Sequence, residues 1–273
     1  MGSTPNSVNL ALRLTLVTHC VDGTTLHRRL RERSALPTME HSRHLADHGY
    51  DPADSPEGDA AESTLRLAEA LRRGDARTAR ECLDARLEEG VPVDTLLRFD
   101  LVAAARLLGD FWSADTACFT EVTQGVGILQ RLHRELADQD ARPPALGDEA
   151  PRILLTPAPG EQHDFGTSLV GTLLHRAGWD VTLVHAPSPA RILASVAGGW
   201  FEVVGLSIAS ERHIEALSAL MPQLRSASAN AQAEFVVGGW LAQTAPELLA
   251  EVGADRIIDD IEILEVRAQH TPA

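Results

Sequence analysis

A chain of 273 residues with 44% apolar content and no continuous apolar run near the ~20 residues of a membrane span reads as two ordinary domains without a membrane contact. The formal charge of −15 opposes a sequence-independent grip on a phosphate backbone, so any contact with DNA is expected to be indirect or weak. All 24 basic residues are arginine, which excludes a Schiff-base lysine, a P-loop lysine and a lysine general base. Cys20, Cys82 and Cys118 are scattered and suggest neither a zinc cluster nor a disulfide framework. With no secretory leader pattern, the cytoplasm is the expected compartment.

Residues 1–58 read as a flexible N-terminal segment: an arginine-rich piece, RRLRER, then HSRHLADHGYDPADSPEGD, rich in Pro, Asp and Gly. Met39 inside it is a candidate internal start. From 59 to 140 the apolar period is helical. DAAESTLRLAEALRRG puts Ala61, Leu65, Ala68 and Leu71 on one stripe and stops at Gly74; DARTARECLDARLEEG follows, with Asp75 as N-cap and Gly90 as stop. VDTLLRFDLVAAARLLGDFW, capped by Asp94, and FTEVTQGVGILQRLHRELAD complete four helices, which predicts a small antiparallel bundle. ARPPALGDEAPR, residues 141–152, is a Pro-rich linker.

Beyond it short apolar runs alternate with helical stretches. RILLTP, WDVTLVH, FEVVGLSI, AEFVVGG and DRIID read as strands, with helices near 166–177, 188–197, 211–227 and 245–252. Strands this apolar, joined by crossover helices, predict a parallel sheet covered on both faces. The expected fold is therefore a four-helix bundle followed at 153–265 by a flavodoxin-like, Rossmann-type α/β domain with a five-stranded parallel sheet, then a tail at 266–273. In such a sheet ligands sit at the carboxyl ends of the strands.

That rule places three features on one rim: the loop PAPGEQHDFG after the first strand, Ser207 at the end of the third, and Gly238 with Gly239 at the end of the fourth. Each alone is ordinary. Together, Glu161-x-His163-Asp164-x-Gly166, then Ser207-x-Ala209, then Gly238-Gly239 resemble the cobalamin-binding signature Asp-x-His-x-x-Gly, Ser-x-Leu, Gly-Gly. The resemblance covers roughly residues 59–260, because a helical bundle directly upstream is the usual companion of that domain. It implies that His163 replaces the cofactor's benzimidazole as lower ligand of cobalt, and that the displaced nucleotide tail enters a groove lined by small residues. The residue types agree with that chemistry. A neutral imidazole suits a borderline transition metal, and an acidic neighbour, here Glu161, fixes its orientation. Glu161 for aspartate and Ala209 for leucine are departures from the pattern, and the longer carboxylate arm puts the strength of the lower ligand in question.

The bundle is expected to cap the upper face, with Trp112 resembling the tryptophan that packs over the corrin in light-sensing cobalamin proteins. In photoreceptors that use adenosylcobalamin such a tryptophan is followed after nine residues by Glu-His; here Glu121 is followed by Val122, so that upper ligand is missing. The segments LLGDFWSAD, EVTQGVGILQRLHREL and PAPGEQHDFGTSLVGTLLHRAGWDV resemble the AerR/PpaA antirepressors of purple bacteria. This resemblance implies binding of aquo- or hydroxocobalamin, a response to light, and relief of photosystem-gene repression through binding to a DNA-binding repressor. His41, His44 and His48 would share one face if their segment became helical. His48, nearest the bundle, is favoured over the other two as an upper cobalt ligand after illumination, with a solvated histidine-rich arm as the competing reading. Two other functions stay open: a corrinoid carrier of a methyltransferase system, and a redox sensor binding haem in the same domain. No constellation for stand-alone catalysis is visible, so the chain is not expected to be an enzyme.

Overall fold

The computed structural model describes residues 57–139, 150–185, 188–259, 261 and 264–265. The segment 1–56 with His41, His44, His48 and Met39, most of the linker, and the tail from 266 lie outside the described residues. The chain divides into two compact units, Met1–Leu132 and His133–Ala273.

The first unit is helical. α1 (Glu57–Arg72) ends before Gly74, which adopts a φ of +70° that glycine takes without a Cβ clash. α2 (Ala76–Glu88) starts at Asp75, whose carboxylate accepts from the Thr78 N–H at 3.0 Å. The third helical segment was expected as one uninterrupted helix capped by Asp94. Instead a helical turn at Val93–Thr95 follows Pro92, a wider π-helical turn spans Leu96–Asp100, and α3 (Leu101–Ser113) continues. The wider turn places Leu96, Leu97, Asp100 and Leu101 all in the interior, where Asp100 meets the equally buried Arg86 of α2 at 3.3 Å. α4 (Phe119–Gln139) is opened by Glu121, which accepts from the Cys118 N–H at 2.7 Å as in a capping box.

The buried stripe of α1 also differs from the sequence expectation. Leu67, Ala68, Ala70 and Leu71 are buried, while Leu65 is 52% exposed, because the buried residues centre on one side of the helix and position 65 falls on the other. Leu65→Gln is accordingly expected to change unfolding stability by no more than about 0.5 kcal/mol, measured by urea titration.

The second unit is a five-stranded, all-parallel sheet of order β2-β1-β3-β4-β5. Its strands are β1 (Arg152–Pro157), β2 (Asp180–Leu183), β3 (Val203–Ser207), β4 (Glu234–Gly238) and the short β5 (Arg256–Ile257). Between them run α5 (Phe165–Arg176), α6 (Pro189–Ala197), α7 (Ile214–Ala227) and the one-turn α8 (Trp240–Thr244). One face, with Leu154, Val204, Leu206, Phe235 and Val237, packs on Ile192 and Val196 of α6 and Leu217, Leu220 and Leu224 of α7. The other, with Ile153, Leu155, Val203 and Val236, packs on Leu174 of α5, Trp179, Ile258 and Leu264. The expected helix at 245–252 is displaced: Pro246 forces its predecessor Ala245 out of the helical region, so α8 ends at Thr244 and a 3₁₀ turn, Pro246–Leu249, follows. This strand order reverses direction between β1 and β3, where the crevice of an open α/β sheet forms.

Candidate cofactor site

β1 and β3 are neighbours in register, with Pro157 opposite Ser207. The loops leaving them are tied at once by the Ala158 N–H donating to the Ser207 carbonyl at 2.7 Å. The β1 loop then turns through Gly160 (φ +80°), where a Cβ would come 3.2 Å from the His213 ring.

Glu161 is the hub of this crevice. Its side chain is 1% exposed. One oxygen accepts from the Gln162 N–H at 2.9 Å, the His163 N–H at 3.1 Å and the His163 Nδ1 at 2.5 Å. The other accepts from the Ala209 N–H at 3.1 Å. The carboxylate thus stitches the β1 loop to the β3 loop. Burial pushes its pKa up, but the hydrogen bond and charge of His163, with the His163 and Ala209 N–H groups, outweigh burial and hold it at about 2.

An ionised carboxylate only accepts, so Nδ1 of His163 carries the proton and, in the neutral ring, the lone pair lies on Nε2. The imidazole is 60% exposed. A single imidazole, fixed on one side by a buried carboxylate and open on the other, is a donor arrangement that could hold a metal bringing its remaining ligands with it. In the first turn of α5, a Cβ at Gly166 would meet nothing within 4 Å, so open space borders that turn. Asp164 stands at the N-cap position of α5, without a side-chain cap bond, 3.7 Å from His185.

At the ends of β3 and β4, Ser207 lies opposite Gly238. Gly239 has φ +101° and ψ −170°, and a Cβ there would fall 2.7 Å from the Ile208 carbonyl and 2.8 Å from Ser207 Oγ. The structure therefore brings both His163 and Ala209 into direct contact with Glu161, and places Ser207, Gly238 and Gly239 together on the same rim. Ala209 contributes through its backbone. Trp112 belongs to the helical unit, where its ring meets Phe119 edge-on, centroids 6.3 Å apart. Glu121 is occupied by the α4 cap and an ion pair with Arg72 at 3.3 Å.

Sequence reasoning missed His213. It lies in a 3₁₀ turn after β3, buried, with Nε2 accepting from Arg212 Nε at 2.9 Å and standing 3.9 Å from Glu161. Burial, aided by the Arg212 charge, keeps its pKa below the ordinary imidazole range against the opposing pull of Glu161. It forms a neutral wall over Gly160. Its place in the loop after β3, on the same rim of the sheet, was the signal in the sequence.

Residues 151–265 match the family model of the B12 binding domain. Over 174 residues the chain is 28% identical to the uncharacterized 20.5 kDa protein in the bchF-crtJ intergenic region of Rhodobacter capsulatus, covering 64% of this chain and 90% of that one. Among solved structures it is similar to the Methanosarcina barkeri monomethylamine corrinoid protein, with 19% identity, a TM-score of 0.58, and coverage of 75% of this chain and 96% of the other, which supports the fold. No helix of the described residues is long and apolar enough to cross a membrane. The paired β1 and β3 loops, with an exposed histidine held by a buried carboxylate, thus lie inside the segment, residues 151–265, that matches the B12 binding domain.

Proposed function

We propose that the protein binds a cobalamin, aquo- or hydroxocobalamin by preference, with His163 as lower cobalt ligand. We further propose that it works without catalytic turnover as a light-responsive cytoplasmic antirepressor, whose partner is a DNA-binding repressor of photosystem genes. The observation that carries the binding half is the grip of buried Glu161 on His163 Nδ1, with the ring otherwise exposed. In this reading Glu161 holds the tautomer and aim of the imidazole, and Gly166 leaves room for a macrocycle. Ser207, Gly238 and Gly239 keep the rim of β3 and β4 open to the tail. Bound there, the cofactor would supply a light-sensitive cobalt centre. The regulatory half rests on the resemblance of the LLGDFWSAD, EVTQGVGILQRLHREL and PAPGEQHDFG segments to the AerR/PpaA antirepressors, and the Rhodobacter capsulatus relative is consistent with it.

The test is the absorption spectrum of the protein mixed with hydroxocobalamin, dark and then illuminated, beside His163→Ala. The parent is expected to shift the corrin bands and to change them with light; the variant is expected to lose the shift produced by imidazole ligation. Bound cobalamin without any light response would replace the sensor by a corrinoid carrier. Purification with haem and no affinity for corrinoid would overturn the cobalamin reading.

A further inference from the structure

The imidazole of His163 is held by Glu161 through Nδ1. One bond fixes the tautomer of the ring but leaves its aim to the backbone that carries it. That backbone runs straight into α5, whose start lacks a side-chain cap: Asp164 stands at the N-cap position without such a bond, and its carbonyl accepts from the Ser168 N–H at 2.9 Å to close the first turn. Another group must therefore fix where α5 begins.

That hold comes from the end of α4. His133, the first residue of the second compact unit, is 5% exposed. Its Nε2 lies 2.9 Å from Thr172 Oγ1 of α5. The Thr172 hydroxyl has one proton and donates it to the Ser168 carbonyl at 3.2 Å, so Oγ1 accepts from the imidazole and the N–H of His133 is on Nε2. Burial, aided by the Arg134 charge, keeps the pKa of His133 below its ordinary value, in keeping with a neutral ring. The same ring meets Phe165 edge-on, with centroids 5.8 Å apart and planes at 86°. Phe165 and Thr172 are two turns apart on one stripe of α5, so His133 bridges them. An apolar side chain would fill this space without the cost of burying an imidazole; what the imidazole adds is a directional bond that sets the position of its ring against Phe165. Phe165 is the first residue of α5, and His163 thus lies midway between two held residues, Glu161 before it and Phe165 after it.

We propose that His133 is a positioning residue of the cofactor site: bonded to Thr172 and packed edge-on against Phe165, it fixes the start of α5 and thereby the direction in which His163 presents Nε2. Glu161 sets the tautomer and His133 sets the aim. The end of α4 then works with the cofactor site although it precedes the segment that matches the B12 binding domain. This assignment rests on the cobalamin reading above and adds to it a residue outside the signature.

The experiment titrates hydroxocobalamin into the full chain as parent, His133→Leu and Phe165→Leu, each also in a His163→Ala background, and reads Kd together with the band shift produced by imidazole ligation. Leucine at 133 removes both the bond to Thr172 and the ring edge. Leucine at 165 removes the ring contact and leaves the buried imidazole in place, so it reports even where the first variant fails to fold. Both are expected to raise Kd roughly tenfold and to diminish the ligation shift, as for loss of a group that orients a metal-bound histidine. In the His163→Ala background the same substitutions are expected to change Kd by less than about twofold, because a residue that acts through His163 has nothing left to aim. An equal rise in both backgrounds overturns the proposal, by assigning His133 and Phe165 to support of the fold alone. Parental Kd and band shift in either folded leucine variant overturn it while leaving cobalamin binding intact. A parent that binds no hydroxocobalamin overturns the cobalamin reading and this assignment with it.

Discussion

Replacing Glu161 by alanine is expected to weaken both the fold and the cofactor site. The side chain is buried, accepts three backbone N–H groups from two loops, and holds His163. Its removal leaves those donors without their anion and lets the imidazole turn. A drop from the ordinary 4.5 to about 2 in pKa corresponds to a stabilisation on the order of 3 kcal/mol from the ionised form. Because the folded pKa is the lower one, this contribution is fully present above about pH 4.5 and is lost as pH falls toward 2. Urea titration of the cofactor-free protein at pH 7 should thus show Glu161→Ala less stable by roughly that amount, and the gap should narrow on acidification below pH 4.5. A gap that stays constant to pH 3 would remove the ionised carboxylate as its cause. Affinity for hydroxocobalamin is expected to fall about 10- to 100-fold, as for loss of a partner that orients a metal-bound histidine.

The same geometry answers what the glutamate does where the signature has aspartate. Its two oxygens divide their bonds, one to Gln162 and His163, the other to Ala209. A carboxylate on a shorter arm cannot sit in the same place from the same backbone. Glu161→Asp is expected to keep the His163 contact and to give up the one to Ala209, so that it falls between parent and alanine in both measurements.

The parts of this molecule that were legible in the sequence are those governed by local pattern. Five apolar runs rich in Val, Ile and Leu gave five parallel strands in flavodoxin-like order, because strands buried on both faces must be apolar throughout. Asp75 and the positive-φ glycines Gly74 and Gly90 announced helix ends through side-chain capping and backbone freedom alone. What was not legible depends on partners distant in the chain. The interior stripe of α1 at Leu67, Ala68 and Leu71, and not at Leu65, is set by the elements that cover it. The π-helical turn at Leu96–Asp100 brings Asp100 to Arg86 of another helix, and no residue in LLRFD specifies it by type. His213 meets the Glu161 loop only because β3 lies beside β1. His133 reads as one polar residue of an amphipathic helix until its bond to Thr172 and its contact with Phe165 are seen. Pro246, by contrast, was a readable breaker that the expected helix at 245–252 passed over.

Gly239→Ala is expected to damage the opposite side of the crevice by a different route. With φ +101° and ψ −170° the residue occupies a region that is essentially reserved for glycine, at a cost to any side chain of about 1–3 kcal/mol. Strain is not the whole effect. The new Cβ would lie 2.7 Å from the Ile208 carbonyl oxygen and 2.8 Å from its nitrogen, and neither backbone atom can swing aside as a side chain could. Ile208 donates to the Gly238 carbonyl at 2.9 Å and accepts from the Leu241 N–H at 3.2 Å, so the two segments must separate and stretch both bonds. Ala209, the next residue, carries the N–H that anchors Glu161, which transmits the displacement to the histidine loop. The expected loss is on the order of 3 kcal/mol in urea unfolding, accompanied by weakened hydroxocobalamin binding. Gly238→Ala provides the control: its φ is not positive and its nearest neighbour would be the Ile258 carbonyl at 3.2 Å, so a smaller loss is expected from a methyl group only one residue away. Equal losses at the two positions would mean that bulk at the rim, and not the left-handed backbone pressed against Ile208, is what the site cannot accept.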